Sequence, residues 1–214
     1  MILEALFYYI YINLFYYFVG GIMFAIDYYN IFIKKKIQFD KIDDIMPTYR
    51  RITPQVLLNT FVFLIPFCIF GGAYDADYED AFSIKKCVID LLISIPMIDI
   101  LFYACHKLFH TKYLYQYHKK HHEIIAPVGI SALYMTPLDM YLGNIIPSIL
   151  PAYLLHYHPF TVKILIAVAI INTIAAAHSG FRRVSEFHDY HHSMFNYNFG
   201  IDIFMDRLFG TYYA

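Results

Sequence analysis

Long runs of apolar residues alternate with short polar stretches along the chain. Two of these runs, 5–26 and 52–74, hold 22 and 23 residues without a charge. Each run is long enough to cross a hydrocarbon core of about 30 Å as a helix. Pro66 inside the second run predicts a kink, and the polar stretch 27–51 predicts a loop in water. The pattern therefore begins with a pair of transmembrane helices.

A third apolar segment begins near Cys87 and runs into the stretch 106–122, which reads HKLFHTKYLYQYHKKHH. From Met140 to Phe181 the only formal charge is Lys163, and the sequence divides at 156–159 into two arms that are short for full crossings. We expect a helical hairpin with both ends on one side of the membrane. The fold class is thus an all-α integral membrane protein with about four transmembrane helices and a histidine-rich helical cap.

The composition supports a membrane protein. An apolar content of 59%, 15% charged residues and a mean hydropathy of +0.48 exceed the values of ordinary soluble domains. A net charge of −1 gives no reason to expect a nucleic-acid partner. The three cysteines lie far apart and predict small buried residues rather than disulfides. We divide the chain into an N-terminal membrane anchor pair with a basic loop, 1–86, and a region that carries the candidate chemistry, 87–214.

The basic residues predict the orientation. If the first three segments span, the histidine segments emerge on the face that carries the loop 27–51. That face holds six Lys and Arg in the first loop, four between Lys107 and Lys120, and three from Arg182 onward, which is thirteen of the sixteen. Because cytosolic segments carry the excess of Lys and Arg, the histidine face should be cytosolic.

Nine histidines should gather on this face. They form the groups HxxxH, HxxHH and HxxHH, together with one isolated residue. Neutral imidazole is a common metal ligand, and one ion rarely takes more than six ligands, so nine predict two ions. Imidazole suits Zn, Cu, Fe and Ni alike, so the ligands alone do not name the metal. The candidate ligands are His106, His110, His118, His121, His122, His178, His188, His191 and His192.

Two other features complete the residue pattern. Asp99 lies deep in the third segment, where an ionisable group costs several kcal/mol unless it is paired or faces water. It shares one helical stripe with Tyr103 and His106, and a role beside a pocket and a hydrogen bond to a neighbouring helix are equally open. His156 and His158 stand beside a proline turn and are expected on the opposite face.

The order of these motifs resembles a known superfamily. HKLFH is followed by HKKHH with EIIAPVG, then by HSGF, HDYHH, NFG and DRLFGT. This order closely resembles the fatty acid hydroxylase and sterol desaturase superfamily over about 99–211, and within it the sterol C-4 methyl oxidases. The resemblance implies a non-haem di-iron oxygenase of the endoplasmic reticulum membrane, which uses O2 and electrons from NAD(P)H through cytochrome b5 or a reductase. It also implies that the histidines of the three boxes bind iron, with His178 as a further ligand.

One departure concerns the substrate. Sterol C-4 methyl oxidases usually have alanine-histidine-proline-x-glutamate after the second box, whereas here Thr136 replaces the histidine and Asp139 the glutamate. The expected metal ligands are unaffected. The resemblance implies oxidation of a sterol 4-methyl group. The departure leaves open hydroxylation or desaturation of another lipid, such as sterol C-5, a sterol side chain or a fatty acyl chain.

Elementary chemistry agrees with an oxidative function. Attack on an unactivated C–H bond needs a redox-active metal, and zinc has no redox chemistry. No GxGxxG fingerprint is present, so electrons must come from a partner. A basic rim could dock that partner or contact lipid headgroups; it comprises Lys112, Lys119, Lys120, Arg182 and Arg183. Depth alone suggests a few residues near the reacting carbon: Asp99, Tyr103, Tyr134 and Asn172.

Two non-enzymatic functions compete with this interpretation. A membrane metal carrier would distribute its ligands across the bilayer, whereas these histidines gather on one face. A catalytically dead scaffold would not need a complete set of boxes. The sequence favours the enzyme over both.

Overall fold

A computed structural model describes residues 1–38 and 45–213 of the chain. Lys41 of the predicted basic loop lies outside these ranges. Within these ranges four helices are long and apolar enough to cross a membrane, namely α1, α2, α3 and α6, which confirms the predicted all-α membrane architecture. In chain order the helices are α1 (Ile2–Tyr28), α2 (Ile45–Ala76), α3 (Ile84–Phe109), α4 (Tyr115–His118), α5 (137–154), α6 (Pro159–Ala177), α7 (Glu186–Met194) and α8 (Ile203–Leu208), with 3-10 turns at Ile33–Lys35, His121–Glu123 and Gly129–Leu133.

The predicted hairpin is present as α5 and α6. The sequence predicts a second arm that is short for a full crossing, but α6 has 19 residues and is long enough to cross. The chain reverses at His156, whose φ of 52° lies in the left-handed region, and α6 begins with Pro159. Tyr157 in the turn is fully buried and donates a hydrogen bond of 2.7 Å to the backbone oxygen of Asp90 in α3. The tip of the hairpin is thereby fastened to the third span.

Three of the helices contain a wider π-turn. These turns lie at Asn59–Phe63 in α2, Met140–Ile145 in α5 and Asn172–Ala177 in α6. Pro66 and Pro147 follow the first two, and since proline has no N–H to offer the preceding turn, a local change of helical pitch accommodates it. The second predicted span therefore continues through Pro66 as one helix.

The apolar cores join both halves of the chain. One core packs Tyr16 of α1 and Ile52 of α2 against Val128 and Ile174. A second packs Tyr8 and other residues of α1 against the hairpin. The predicted division into 1–86 and 87–214 stays a prediction, but residues from either side of that boundary share both cores.

A short antiparallel contact connects the first loop with the segment after α6. The N–H of Ile37 donates to the oxygen of Gly180 at 2.8 Å, and the N–H of Arg182 donates to the oxygen of Lys35 at 2.9 Å. Beside it the buried Lys36 Nζ lies 2.5 Å from Asp27 Oδ1 at the end of α1. Residues 35–37 of the first loop thus lie on the same face as the segment that follows His178, as the topology predicts.

Candidate metal centre

Each predicted histidine group lies on a helical segment or directly at its end. The C-terminal end of α3 presents His106 and His110 four residues apart, so both rings lie on one side of the helix. The turn formed by α4 and the following 3-10 segment carries the HKKHH group. His178 directly follows α6, and the HDYHH group lies on α7. The structure brings all nine together.

Five of these histidines form a first group, in which one candidate ligand atom of each lies within 4.8 Å of the others. The Nε2 atom of His122 lies 3.0 Å from that of His118 and 3.1 Å from those of His110 and His191. The Nε2 atoms of His106 and His118 are 3.1 Å apart. Five ring nitrogens therefore converge on one point.

The other four histidines form a second group of the same kind: His121, His178, His188 and His192. The Nε2 atoms of His178 and His121 lie 3.3 Å apart, and those of His192 and His188 lie 3.2 Å apart. All four side chains are buried. The groups adjoin, because His121 and His122 are consecutive.

Acceptors behind the rings fix which nitrogen carries the proton. The Nδ1 atom of His106 lies 2.8 Å from the oxygen of Phe199, and that of His118 lies 2.8 Å from Asp139 Oδ2. Since a carbonyl oxygen only accepts, the neutral ring of His106 holds its proton on Nδ1, and an ionised Asp139 carboxylate has the same effect on His118. With both protons on Nδ1, the two Nε2 atoms direct lone pairs toward each other.

A metal ion between the nitrogens fits this arrangement. Two imidazole nitrogens bound at about 2.1 Å and at right angles to each other stand about 3.0 Å apart. The Nε2 separations of 3.0–3.3 Å match that spacing. The donor set is neutral nitrogen throughout, which suits a transition metal.

Burial keeps these imidazoles neutral. Loss of hydration lowers the pKa of His110 to about 3 and that of His178 to about 4. The same cause holds further pKa values well below the usual range of histidine, those of His118, His121, His188, His191 and His192. Neutral rings have lone pairs to donate near pH 7.

A cavity of about 480 Å³ opens beside both groups. His106 and His118 of the first group line it, as do His121, His178 and His188 of the second. From His106 the cavity follows α3 as far as Leu91, which is about 22 Å of helix rise. Its other walls come mainly from α5 and α6. The cavity thus extends from the histidines to the depth of the hydrocarbon core.

The four residues predicted near a reacting carbon have different surroundings. Asn172 lines the cavity. Asp99 instead accepts hydrogen bonds from the backbone N–H groups of Ile201, Asp202 and Met205 at 3.0–3.1 Å. The hydroxyl of Tyr103 pairs with Thr211 Oγ1 at 3.1 Å and accepts from Lys107 Nζ at 2.8 Å.

Asp99 and Tyr103 therefore hold the C-terminal segment, and along the part of the chain that the structure describes they are not among the cavity-lining residues. Tyr134 donates to Glu123 Oε2 at 2.9 Å and is buried in a core. The assignment beside a reacting carbon is kept for Asn172 alone.

Further predicted residues lie outside the centre. His156 and His158 contact Tyr74 and Tyr78 at the opposite end of the hairpin, as the turn beside Pro159 predicts. In the basic rim, Lys120 is half-buried and donates to Gln55 Oε1 at 2.8 Å. The other four side chains, of Lys112, Lys119, Arg182 and Arg183, are exposed.

Several contributors were missed because they act through the backbone. The oxygen of Tyr197 lies 2.6 Å from His191 Nδ1, and that of Thr173 lies 2.7 Å from His178 Nδ1. Every residue has a backbone oxygen, so the amino-acid sequence does not indicate which of these oxygens accept a hydrogen bond from a histidine. The NFG run at 198–200 did mark the relevant loop, since Phe199 supplies the acceptor of His106.

Comparisons with known proteins agree with this geometry. A family model described as fatty acid hydroxylase matches residues 91–211, a range that contains all nine histidines. No solved structure gives a significant match.

Three relatives illustrate the range. The chain is 31% identical to fatty acid hydroxylase domain-containing protein 2 of Macaca fascicularis, with 92% of this chain and 63% of that protein covered. It is 31% identical to sphinganine C4-monooxygenase 2 of Arabidopsis thaliana, covering 74% and 67%. It is 32% identical to a putative methylsterol monooxygenase of Dictyostelium discoideum, covering 86% and 75%. The chain thus spans less than two thirds of the length of the first of these relatives.

Proposed function

The chain belongs to the fatty acid hydroxylase family, and on that basis we propose that it is a membrane-bound, non-haem di-iron monooxygenase that oxidises a lipid. The observation that carries the proposal is the convergence of five and four buried imidazoles beside a cavity at membrane depth. The catalytic region would be 87–214, with 1–86 as its membrane anchor.

The nine histidines would hold two iron ions through neutral ring nitrogens. Iron bound there supplies the redox chemistry that activates O2 and oxidises a C–H bond. The protein's own contribution is to orient the rings from behind, at Phe199, Asp139, Thr173 and Tyr197, and to exclude bulk water by burial. Both effects prepare the site before substrate arrives.

The cavity suits a lipid. It runs beside α3 and α6, whose other faces are exposed apolar surface at membrane depth, so a substrate would enter from the bilayer. Its reacting carbon would lie near His106 and His178, close to Asn172, and its remainder would extend toward Leu91. A sterol 4-methyl group is the proposed target. A sphingoid base or another acyl lipid is the runner-up, supported by the likeness to a sphinganine C4-monooxygenase.

Electrons would come from NAD(P)H through cytochrome b5 or a reductase. The exposed residues of the basic rim, such as Arg182 and Arg183, offer positive charge to an acidic carrier. Thirteen of the sixteen Lys and Arg belong to the histidine face, which supports a cytosolic orientation, and we propose the endoplasmic reticulum as the membrane.

The test combines metal analysis with lipid oxidation. The purified chain in lipid nanodiscs is expected to contain about two irons and to oxidise one of three supplied lipids, a 4-methylsterol, sphinganine or a fatty acyl lipid, in the presence of O2 and reductant. His121→Ala should lose the iron of the second group and turnover together. Product mass identifies the substrate class and separates hydroxylation from desaturation. Full turnover by the metal-free protein or by His121→Ala would contradict the proposal.

A further inference from the structure

A carboxylate stands behind one histidine of the first group. Asp139 Oδ2 lies 2.8 Å from His118 Nδ1, on the side of the ring opposite the converging Nε2 atoms. Both side chains are almost fully buried, with exposures of 3% and 5%. In contrast, His106, His178 and His191 have neutral backbone oxygens in the equivalent position.

The local sequence is built to hold this carboxylate. Thr136 caps the start of α5 by accepting from the N–H of Asp139 at 3.3 Å, and its hydroxyl donates to the oxygen of Tyr117 at 2.8 Å. The same threonine therefore ties the start of α5 to the residue before His118.

Glycine one turn later leaves room for the side chain. Residue 143 follows residue 139 by four positions, and a Cβ atom there would overlap Asp139 Oδ1. Any larger residue at 143 would push the carboxylate away from the ring. Thr136, Asp139 and Gly143 thus act as one unit within and before the π-turn at Met140–Ile145.

At 2.8 Å, Asp139 Oδ2 is a close hydrogen-bond acceptor for the Nδ1–H of His118. A carboxylate that accepts from the Nδ1–H of a ligating imidazole also fixes the ring and makes its other nitrogen a stronger donor to the metal. Backbone carbonyls orient a ring without bringing a charge.

We propose that Asp139 is a positioning residue that orients His118 and strengthens it as a metal ligand, so that the first group binds its ion more tightly than five equally backed histidines would. This inference rests on the proposed function, because that function explains why the chain binds a metal. Metal binding itself is measurable without enzymatic turnover.

The test is a Co2+ titration of the full chain after removal of bound metal, followed by absorption spectroscopy. Loss of such a supporting carboxylate weakens metal affinity by about 10- to 100-fold, which is the change expected in Asp139→Leu. Asp139→Asn keeps the shape of the side chain and an acceptor oxygen but cannot carry a charge. Its affinity for Co2+ should therefore lie between those of the parent chain and Asp139→Leu, and its Co2+ absorption spectrum should differ from that of the parent. Asp77→Asn, an exposed residue after α2, is the matched control and should match the parent chain.

A double-mutant cycle shows whether Asp139 acts through His118. In a His118→Ala chain, Asp139→Leu should weaken Co2+ binding no further, because its partner is already gone. Equal losses in both backgrounds, or unchanged affinity of Asp139→Leu in the parent chain, would overturn the inference. Tight Co2+ binding without lipid oxidation in the iron-loaded parent would count against the proposed function alone.

Discussion

His106 Nδ1 lies 2.8 Å from the carbonyl oxygen of Phe199, although 93 residues separate them in sequence. The loop that supplies this oxygen is held by Asp206, which is fully buried and accepts from the N–H groups of Phe199 and Gly200 at 2.9 and 2.7 Å. Thr211 adds a third hydrogen bond to the same carboxylate. The ring of His106 is therefore oriented from the C-terminal end of the chain.

Replacing Asp206 should loosen the loop at Phe199 and leave the His106 ring free to change its orientation. Asp206→Ala leaves three donors without their acceptor, at about 1–3 kcal/mol for each that stays buried. We expect a lower melting temperature and less bound iron, measured by differential scanning fluorimetry and elemental analysis. Asp202→Ala is the comparison, since it removes only the cap on the N–H of Ile203, worth about 1 kcal/mol. Equal iron contents in the two variants would argue against the orienting role.

The buried ion pair of Lys36 and Asp27 should matter for stability. Removing one partner of a buried pair costs about 3–5 kcal/mol because the other charge stays uncompensated. Lys36→Met should therefore lower the melting temperature strongly and speed hydrogen exchange around Phe181, which Lys36 also contacts. Lys34→Met, at an exposed position, should change neither. Equal melting temperatures and exchange rates in the two variants would show that the Lys36–Asp27 pair does not stabilise the fold.

The second histidine group should depend on His178. With three ligands left, His178→Ala is expected to bind about one iron per chain when iron is in excess, because the first group stays complete. His156→Ala, at the far end of the hairpin, should keep the parent stoichiometry. Elemental analysis of the desalted proteins decides the matter. Two irons in His178→Ala would remove that residue from the ligand set.

Filling the cavity should block lipid oxidation without affecting iron. Ala169 lines the cavity on α6, so Ala169→Phe would place a ring where substrate is proposed to lie. Ile171→Phe makes a similar substitution two residues away at an exposed position. We expect turnover to fall at least tenfold in the first variant and to persist in the second, with iron content equal in both. Undiminished turnover of Ala169→Phe would place the substrate elsewhere.

The sequence predicted the helices well because the membrane imposes a simple rule. Uncharged runs such as 5–26 and 52–74 have to become helices in lipid, where backbone groups find no water. The gathering of the histidines followed from counting spans. Fixed spacing on helical segments then placed neighbouring rings side by side.

Other aspects depend on tertiary contacts that no local pattern reports. The depth of Asp99 in its span predicts a place in the pocket, yet three backbone N–H groups of the C-terminal segment donate to its carboxylate. In the sequence Asp139 is a departure from a family motif, whereas in the structure it contacts His118. In both cases the partner lies at least 21 residues away, and only the folded chain brings the two together.

Consecutive histidines belong to different groups at two places in the chain. His121 and His122 divide between the second and first groups, and His192 and His191 do the same. An ion bound by one group therefore orders backbone segments that also carry ligands of the other group. The conformational entropy of these shared segments is lost when the first ion binds and need not be lost again when the second ion binds. Filling of the two positions should consequently be cooperative, so that a partly loaded preparation consists mainly of empty and fully loaded chains.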